Sequence, residues 1–559
     1  MSYAAKRIVG SPQQKAIWTA MRKSDKHLLI SARAGTGKTF TIVEGLKKVP
    51  KERSILFCAF NKSIAKELSS KVPHGVQCRT LHSLGFKIIR DNYEGVGSPQ
   101  QDKTYDILDQ VVGPNFGKRD RWAWKAGERP AIAQMVSLFK NTGLLLPSKW
   151  TPDKAVPAAL EQSMDDLSEY HSVTWTRSKD MLWEIVCQIV YASLYLDDWN
   201  IIDFDDMIYW PYALGLSSDR HDLLCVDEYQ DLNECQQNLV QKCGDRLVVV
   251  GDTRQSIYAF RGADAEAIPR ATKTLKASSR GLDILPLTVC RRCPKTVIAM
   301  AQILVPDIEP MADAPRGGVN VIDYATAVKI AKPGDMFLCR CNAPLVDTIY
   351  RFFGDGRRAF MQGRDIGEGL IKLVERLSSS GKILDLETNL TAWQTQEQER
   401  LQARKAPASR VIALNDKCDC LRVIMEPCKD VPVLKTKLEL LFADDNPEHS
   451  IRLSSVHRAK GLEANRVFLL APELIPHPLA DKPWERAQEM NIGYVAVTRA
   501  IETFYFVGSV SPCFGSRGKA LIKDGREQFS ASEAEIGGYL EQEWAEERNS
   551  LEDIEDLQF

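Results

Sequence analysis

Residues 226–264 read VDEYQDLNECQQNLVQKCGDRLVVVGDTRQSIYAFRGAD. An apolar strand end runs into two adjacent carboxylates, Asp227 and Glu228. A second apolar run, Leu247–Val250, ends in Gly251 and Asp252, with Gln255 just beyond. Two strands that end in this way deliver acids and an amide to one edge of a sheet. Chemistry at a polyphosphate asks for such an edge: one acid to hold magnesium, one to orient water, and a polar group beside the terminal phosphate.

The matching cradle lies upstream. The apolar run HLLI, His27–Ile30, leads into SARAGTGKT, Ser31–Thr39. Ala34, Gly35, Thr36 and Gly37 form a turn whose backbone N–H groups face phosphate oxygens. The two glycines supply the conformational freedom it needs. Lys38 reaches the β and γ phosphates, and the Thr39 hydroxyl joins Asp227 as a magnesium ligand. Ala32 stands where the strict pattern has glycine. ATP and Mg2+ are the expected cofactors.

Bulk properties fit a large globular chain. Its 559 residues leave room for several domains. With 44% hydrophobic and 26% charged residues and a net charge of −1, it has no global basic field, so any nucleic-acid binding rests on local patches. No apolar stretch is long enough for a membrane span, and the N-terminus MSYAAKRIVG lacks a signal-peptide core. Fourteen Cys without a secretory signal point to reduced thiols and a cytoplasmic setting, in a bacterial cell or a phage-infected host. Cys290-Arg-Arg-Cys293, Cys339-Arg-Cys341 and Cys418-Asp-Cys420 have poor spacing for zinc and read as ordinary thiols.

Strands alternate with helices along the chain, the mark of an α/β fold with parallel sheets. Ser54–Phe60 reads as a strand and Gln77–Ser83 as another strand end. The pattern lapses into a helix-rich stretch from about 96 to 195, with Lys118, Arg119, Arg121, Trp122, Trp124 and Lys125 close together, and resumes at Ile201–Met207. A second sheet is expected from near Leu285, with strands at Asp335–Cys339, Arg466–Leu470 and Phe504–Val507. A second helix-rich insertion covers about 368–448. The tail beyond 525 is acidic.

At this point the residues resemble a family. SPQQKAI, ARAGTGKT, AFNKSIAKEL, RTLHSLG, VDEYQD, GDTRQSIYAFRGA, SVHRAKGLE and GYVAVTRA occur in the order seen in superfamily 1 DNA helicases of the UvrD/Rep/PcrA type, including phage-type branches. The resemblance spans roughly residues 11–510. It implies two RecA-like motor domains with ATP at their interface, each carrying a helix-rich insertion. The first motor domain would be 1–95 and 196–284, interrupted by the insertion 96–195. The second would be 285–367 and 449–525, interrupted by 368–448, with 526–559 as the tail.

The resemblance also implies roles. Gln14, with Gln13 as the alternative, reads adenine. Lys38 neutralises phosphate charge, Asp227 carries the metal, and Glu228 is the general base. Gln255 reports the γ-phosphate. Arg292 and Arg499 are candidate arginine fingers from the second sheet, each of a kind that contributes about 10³ to 10⁵ in rate. Arg291 stands where the family has an adenine-stacking aromatic, and Arg-Arg-Cys replaces its aromatic-Arg-Ser. Glu463, with Lys460, links the nucleotide and DNA sites. Phe60, Asn61, Thr80, His82, Tyr258, Phe260, Arg261 and His457 are the candidate track for single-stranded DNA, gripped by phosphate contact and stacking. The expected activity is ATP-dependent movement along single-stranded DNA, 3′ to 5′ by resemblance, with unwinding at single-strand/duplex junctions. A translocase that remodels nucleoprotein complexes is the alternative. A monomer is expected, without a membrane partner, and the acidic DIEDLQF end suits a replication or repair protein.

Overall fold

The computed structural model describes residues 10–524 except 60–61, 113–127, 171–172, 174, 176–177, 196–200, 258–266, 379, 404–407 and 443–448. Its frame is two six-stranded sheets, all of whose pairings are parallel. The first holds β1 (His27–Ala32), β2 (Ile55–Ala59), β3 (Val76–Thr80), β4 (Leu223–Val226), β5 (Leu247–Gly251) and β6 (Leu282–Leu287), in the order β3-β2-β4-β5-β1-β6. A short pair, β7 (Val289–Cys290) and β8 (Glu309–Pro310), follows. The second sheet holds β9 (Gly318–Ile322), β10 (Met336–Cys339), β11 (Ala359–Met361), β12 (Ile451–Ser455), β13 (Ala464–Leu469) and β14 (Ala500–Val507), in the order β11-β12-β10-β13-β14-β9.

The central strands are apolar throughout because helices cover both faces of each sheet. β2, β4 and β5 are buried at every position. One face of the first sheet packs under helices Pro12–Lys23, Lys38–Leu46 and Lys62–Ser69. The other face shares a single core with the first insertion, whose helices are Lys103–Ile107, Glu128–Asn141, Ala158–Tyr170 and Lys179–Tyr195. The second insertion, Arg364–Leu377, Ile383–Ala403, Ala408–Met425 and Val431–Leu441, likewise shares a core with one face of the second sheet.

Buried charge ties the first insertion to its sheet. Lys103 meets Asp206 at 2.7 Å and the Ser193 hydroxyl at 2.8 Å. Lys140 meets both Asp203 and Asp206 at 2.7 Å. Burial pushes the Asp206 carboxyl up, but the two ammonium groups outweigh it and hold it well below the usual range. Arg246, also buried, donates to the carbonyls of Ala20, Met21 and Lys26, capping the helix Pro12–Lys23.

Three sequence expectations need correction. The strand ending at Thr80 gives way at once to helix Leu81–Asn92, so His82 and Ser83 are helical; the Thr80 hydroxyl caps that helix by accepting from the Ser83 N–H at 3.1 Å. Ile201–Met207 is not a strand: its acids open helix Asp206–Ala213 and feed the buried lysines. Leu285 does not begin the second sheet. It lies in β6, which pairs with β1 on the first. Proline and polar residues in DILPL hide this, and they are tolerated because β6 is an edge.

Candidate functional site

The site forms at the carboxyl ends of β1, β4 and β5, where the second sheet's elements meet the first. β1 enters the turn 33–37, in which Gly35 (φ 68°) and Gly37 (φ 79°) are left-handed. Gly37 then caps helix Lys38–Leu46. A Cβ at Gly35 would lie 2.7 Å from Cys290 Sγ and 2.9 Å from Arg292 Cβ, so only glycine fits against the second half of the chain.

In an extended strand, Asp227 and Glu228 would point to opposite faces. Glu228 instead sits at φ 54°, ψ 43°, a left-handed conformation rare for a non-glycine residue. The kink turns both acids onto the cradle. The Thr39 hydroxyl donates to Asp227 Oδ2 at 2.5 Å, and Lys38 Nζ lies 2.8 and 2.9 Å from the Glu228 carboxylate oxygens. Gln230 also donates to Glu228, at 2.6 Å. Burial and the neighbouring Glu228 raise the Asp227 carboxyl to about 6. Burial acts upward on Glu228 too, but Lys38 and Lys460 prevail and hold it at about 2. A buried carboxylate beside a hydroxyl is an all-oxygen donor pair suited to a hard divalent cation, so Thr39 and Asp227 fit magnesium.

Gln255 is buried and donates to Asp252 Oδ2 at 2.7 Å. Its backbone carbonyl accepts from Lys460 Nζ at 2.7 Å, and Lys460 also holds Asp231 at 2.5 and 2.7 Å. The segment that follows β12 therefore grips the acid edge of the first sheet.

Arg292 reaches the cleft paired with Glu463 at 2.5 Å and donates to the Thr498 carbonyl at 3.3 Å. Arg499 is buried. It donates to the Val495 and Leu462 carbonyls and the Thr498 hydroxyl. Burial and the nearby Arg292 lower its guanidinium to about 10. Both arginines are thus held by their own half of the chain. Arg291 crosses to the first half: its Nη2 donates to Gln14 Oε1 at 2.8 Å and its backbone N–H to the Gly35 carbonyl at 2.8 Å. Gln14 has a second task. With Ser11 it forms a capping box on helix Pro12–Lys23, and it also donates to Thr41 at 3.0 Å. Gln13 instead exchanges hydrogen bonds with Thr288 beside β6.

Of the residues expected to form the DNA track, Thr80, His82 and His457 are described. His82 lines a cavity of about 210 Å³ with Asp227, Glu228, Asp231 and Gln236, and burial lowers its imidazole against the pull of Asp205. His457 lines a larger cavity of about 480 Å³, with Arg340, Asn342, Arg458 and Trp484, beside helix Ala408–Met425. The two histidines thus follow strands of different sheets, β3 and β12. Phe60, Asn61, Tyr258, Phe260 and Arg261 lie outside the described residues, as do Lys118–Lys125 and the acidic tail.

Sequence reasoning missed several residues that close the cleft. Tyr494 accepts from the Ala34 N–H at 2.9 Å and donates to Asp252 at 3.3 Å. Arg33 makes a two-pronged pair with Asp307 at 2.7 and 2.6 Å and lies 3.5 Å from Asp252. Gln488 and Asn491 donate to the Ile257 and Ser256 carbonyls at 3.0 and 3.1 Å. Tyr494 stood inside a quoted motif, GYVAVTRA, and its polar tip on an apolar helix was the available signal. Arg33 and Asp307 carried none.

The UvrD/REP helicase N-terminal domain family matches residues 13–276, and the UvrD-like helicase C-terminal domain family matches 429–509. The chain is 26% identical to ATP-dependent DNA helicase Rep of Salmonella typhimurium, over 50% of this chain and 40% of that protein. It is 27% identical to ATP-dependent DNA helicase PcrA of Staphylococcus epidermidis, over 44% and 34% of the two chains, and 25% identical to F-box DNA helicase protein 1 of Schizosaccharomyces pombe, over 45% and 28%. The matched stretch spans between 28% and 40% of the length of these relatives. Among the described residues no helix is long and apolar enough to cross a membrane. With two parallel sheets, an insertion on each and both domain families matched in order, the chain belongs to the UvrD/Rep/PcrA-like group of superfamily 1 helicases.

Proposed function

We propose that the chain is an ATP-driven DNA helicase and translocase that moves 3′ to 5′ along single-stranded DNA and opens duplex at junctions in replication, repair or recombination. The observation that supports this reading is the gathering of Lys38, Thr39, Asp227 and Glu228 at one sheet edge, with Arg292 packed against Gly35 of the cradle and Arg499 near enough to feel the charge of Glu228. Lys38 now rests on Glu228. Incoming phosphates take over Lys38, and the freed carboxylate regains basicity and draws a proton from the attacking water. Thr39 and Asp227 hold magnesium, which neutralises phosphate charge when bound. Arg292 and Arg499 exchange their carbonyl and carboxylate partners for the charge that grows on the transferred group. Arg291 and Gln14 hold the base.

Movement follows from the contacts that span the cleft. Lys460 and Gln255 join the nucleotide edge of the first sheet to the loop after β12 that carries His457. A change at the γ-phosphate shifts that joint, and the distance between two DNA grips changes with it. The test measures ATP hydrolysis with single-stranded DNA, with RNA and with neither, and strand displacement on duplexes carrying a 3′ or a 5′ tail. Stimulation by DNA and displacement from the 3′ tail are expected. No stimulation by either nucleic acid overturns the motor; stimulation without displacement leaves a bare translocase.

A further inference from the structure

The segment Cys290-Arg291-Arg292-Cys293 does more than present a guanidinium. β7 brings Cys290 against the phosphate cradle, where its sulfur occupies the space beside Gly35. The chain then turns back. The Cys293 N–H donates to Cys290 Sγ at 3.4 Å, which places that sulfur within about 5 Å of the Cys293 Cα. Cys293 is followed by Pro294 and helix Lys295–Gln302, so the pair sits at a turn entering a helix. Cys293 Sγ donates to the Thr498 carbonyl at 3.5 Å, the same oxygen that receives Arg292. One carbonyl thus registers the Cys-x-x-Cys turn against Arg499.

A structural metal does not account for the pair, since no third and fourth ligand accompany it: among the described residues no group of three or more His, Cys, Asp and Glu could hold an ion. The thiols also differ from the rest. Cys293 and the backbone N–H groups of Cys293 and Arg292 hold the Cys290 thiol down at about 7 against the effect of burial. Every other thiol in the chain is pushed upward. A low-lying thiol beside a resolving partner is the arrangement of a redox-sensitive site.

We propose that Cys290 and Cys293 form a reversible disulfide under a peroxide-class oxidant, and that this bond turns off nucleotide hydrolysis. The Cys290 thiolate attacks one peroxide oxygen, giving a sulfenic acid and, with a proton, one water. Cys293 sulfur then displaces the sulfenic oxygen, which leaves as a second water with the Cys293 proton. Two thiols and one peroxide become one disulfide and two waters. Both thiols are buried, so the oxidant must be small and must enter when the cleft opens. The new bond takes Cys293 away from the Thr498 carbonyl and twists the peptide that carries Arg292. The candidate fingers then lose register with the cradle.

The switch rests on the proposed ATPase reading, and its test separates the two. Reduced full-length protein is treated with hydrogen peroxide, alkylated and mapped by peptide mass, while DNA-stimulated hydrolysis is followed in parallel. A Cys290–Cys293 linkage is expected, with turnover falling roughly 10³-fold, the lower end of a finger's contribution, and recovering in dithiothreitol. Cys293→Ser should keep its turnover in peroxide; Cys290→Ser is the second variant should the first fold poorly. Absence of the linkage overturns the switch, as does a linkage without loss of turnover or a Cys293→Ser protein that peroxide still inactivates. If reduced protein hydrolyses no ATP, the functional reading fails, while the mapped linkage still decides whether the disulfide forms.

Discussion

Glu228 carries a strain that can be measured apart from its chemistry. Its φ of 54° places Cβ close to the following carbonyl, a steric cost of about 1–2 kcal/mol. A glycine there escapes this cost but has more freedom to lose on folding, about 0.5–1 kcal/mol relative to alanine. Glu228→Gly and Glu228→Ala both remove the ion pair with Lys38, so their difference isolates the backbone. Glu228→Gly should be the more stable by about 1 kcal/mol, or 2–4 °C in Tm for a unit of this size. Thermal and urea unfolding of the nucleotide-free proteins would read the difference. Both variants, and Glu228→Gln, should bind a fluorescent ATP analogue yet hydrolyse slowly. If Glu228→Ala is as stable as Glu228→Gly, the left-handed kink is not a stored cost. If Glu228→Gln turns over at the wild-type rate, Glu228 is not the base.

Other expectations concern separate parts of the molecule. Arg499→Ala should leave ATP affinity nearly intact and lower kcat by about 10³ or more; a loss confined to affinity would refute its role as a finger. Arg33→Ala and Asp307→Ala should each raise the KM for ATP by no more than about five-fold, because Asp307 is half exposed and such pairs contribute at most about 1 kcal/mol. The double variant should match the single ones, and additive effects would show that the two residues do not act as a pair. Lys140→Met strands the Asp203 carboxylate and leaves Asp206 with Lys103 alone, and should cost about 3–5 kcal/mol, lowering Tm by about 10 °C or more; a shift of a degree or two would mean the cluster is hydrated. With Asp227 raised to about 6, its protonated form gains ground as pH falls through that value. A protonated carboxyl is a poor magnesium ligand, so hydrolysis should decline below about pH 6 and recover with added magnesium; a decline insensitive to magnesium would point to another group.

The parts legible in the sequence were those in which neighbours in the chain do the work. The cradle needs consecutive small residues and a lysine. The acid edge needs an apolar run that stops at Asp227. What escaped depends on distant partners. DILPL has no clean alternation because β6 is an edge strand held by β1 alone. IIDFDDM looked like a strand because its acids gave no hint of Lys103 and Lys140, which are buried in the insertion's helices. Arg33 pairs with Asp307 across 274 positions of sequence. Gln14 was named from the resemblance, but the chain alone does not tell that the same amide caps its own helix and holds Arg291.

The placement of β6 on the first sheet gives the two candidate fingers different attachments. Arg292 leaves that sheet's edge strand by a short span, through Gln13 on Thr288 and Gly35 on the Arg291 N–H. It thus touches both halves of the chain, packing against Gly35 of the first and held by Glu463 and the Thr498 carbonyl of the second. Arg499 belongs to the second half alone, standing between helix Pro483–Val497 and β14. Its link to Arg292 is the carbonyl of Thr498, its neighbour in the chain, which accepts from both Arg292 and Cys293. A change at either arginine would therefore be felt at the other through that one carbonyl.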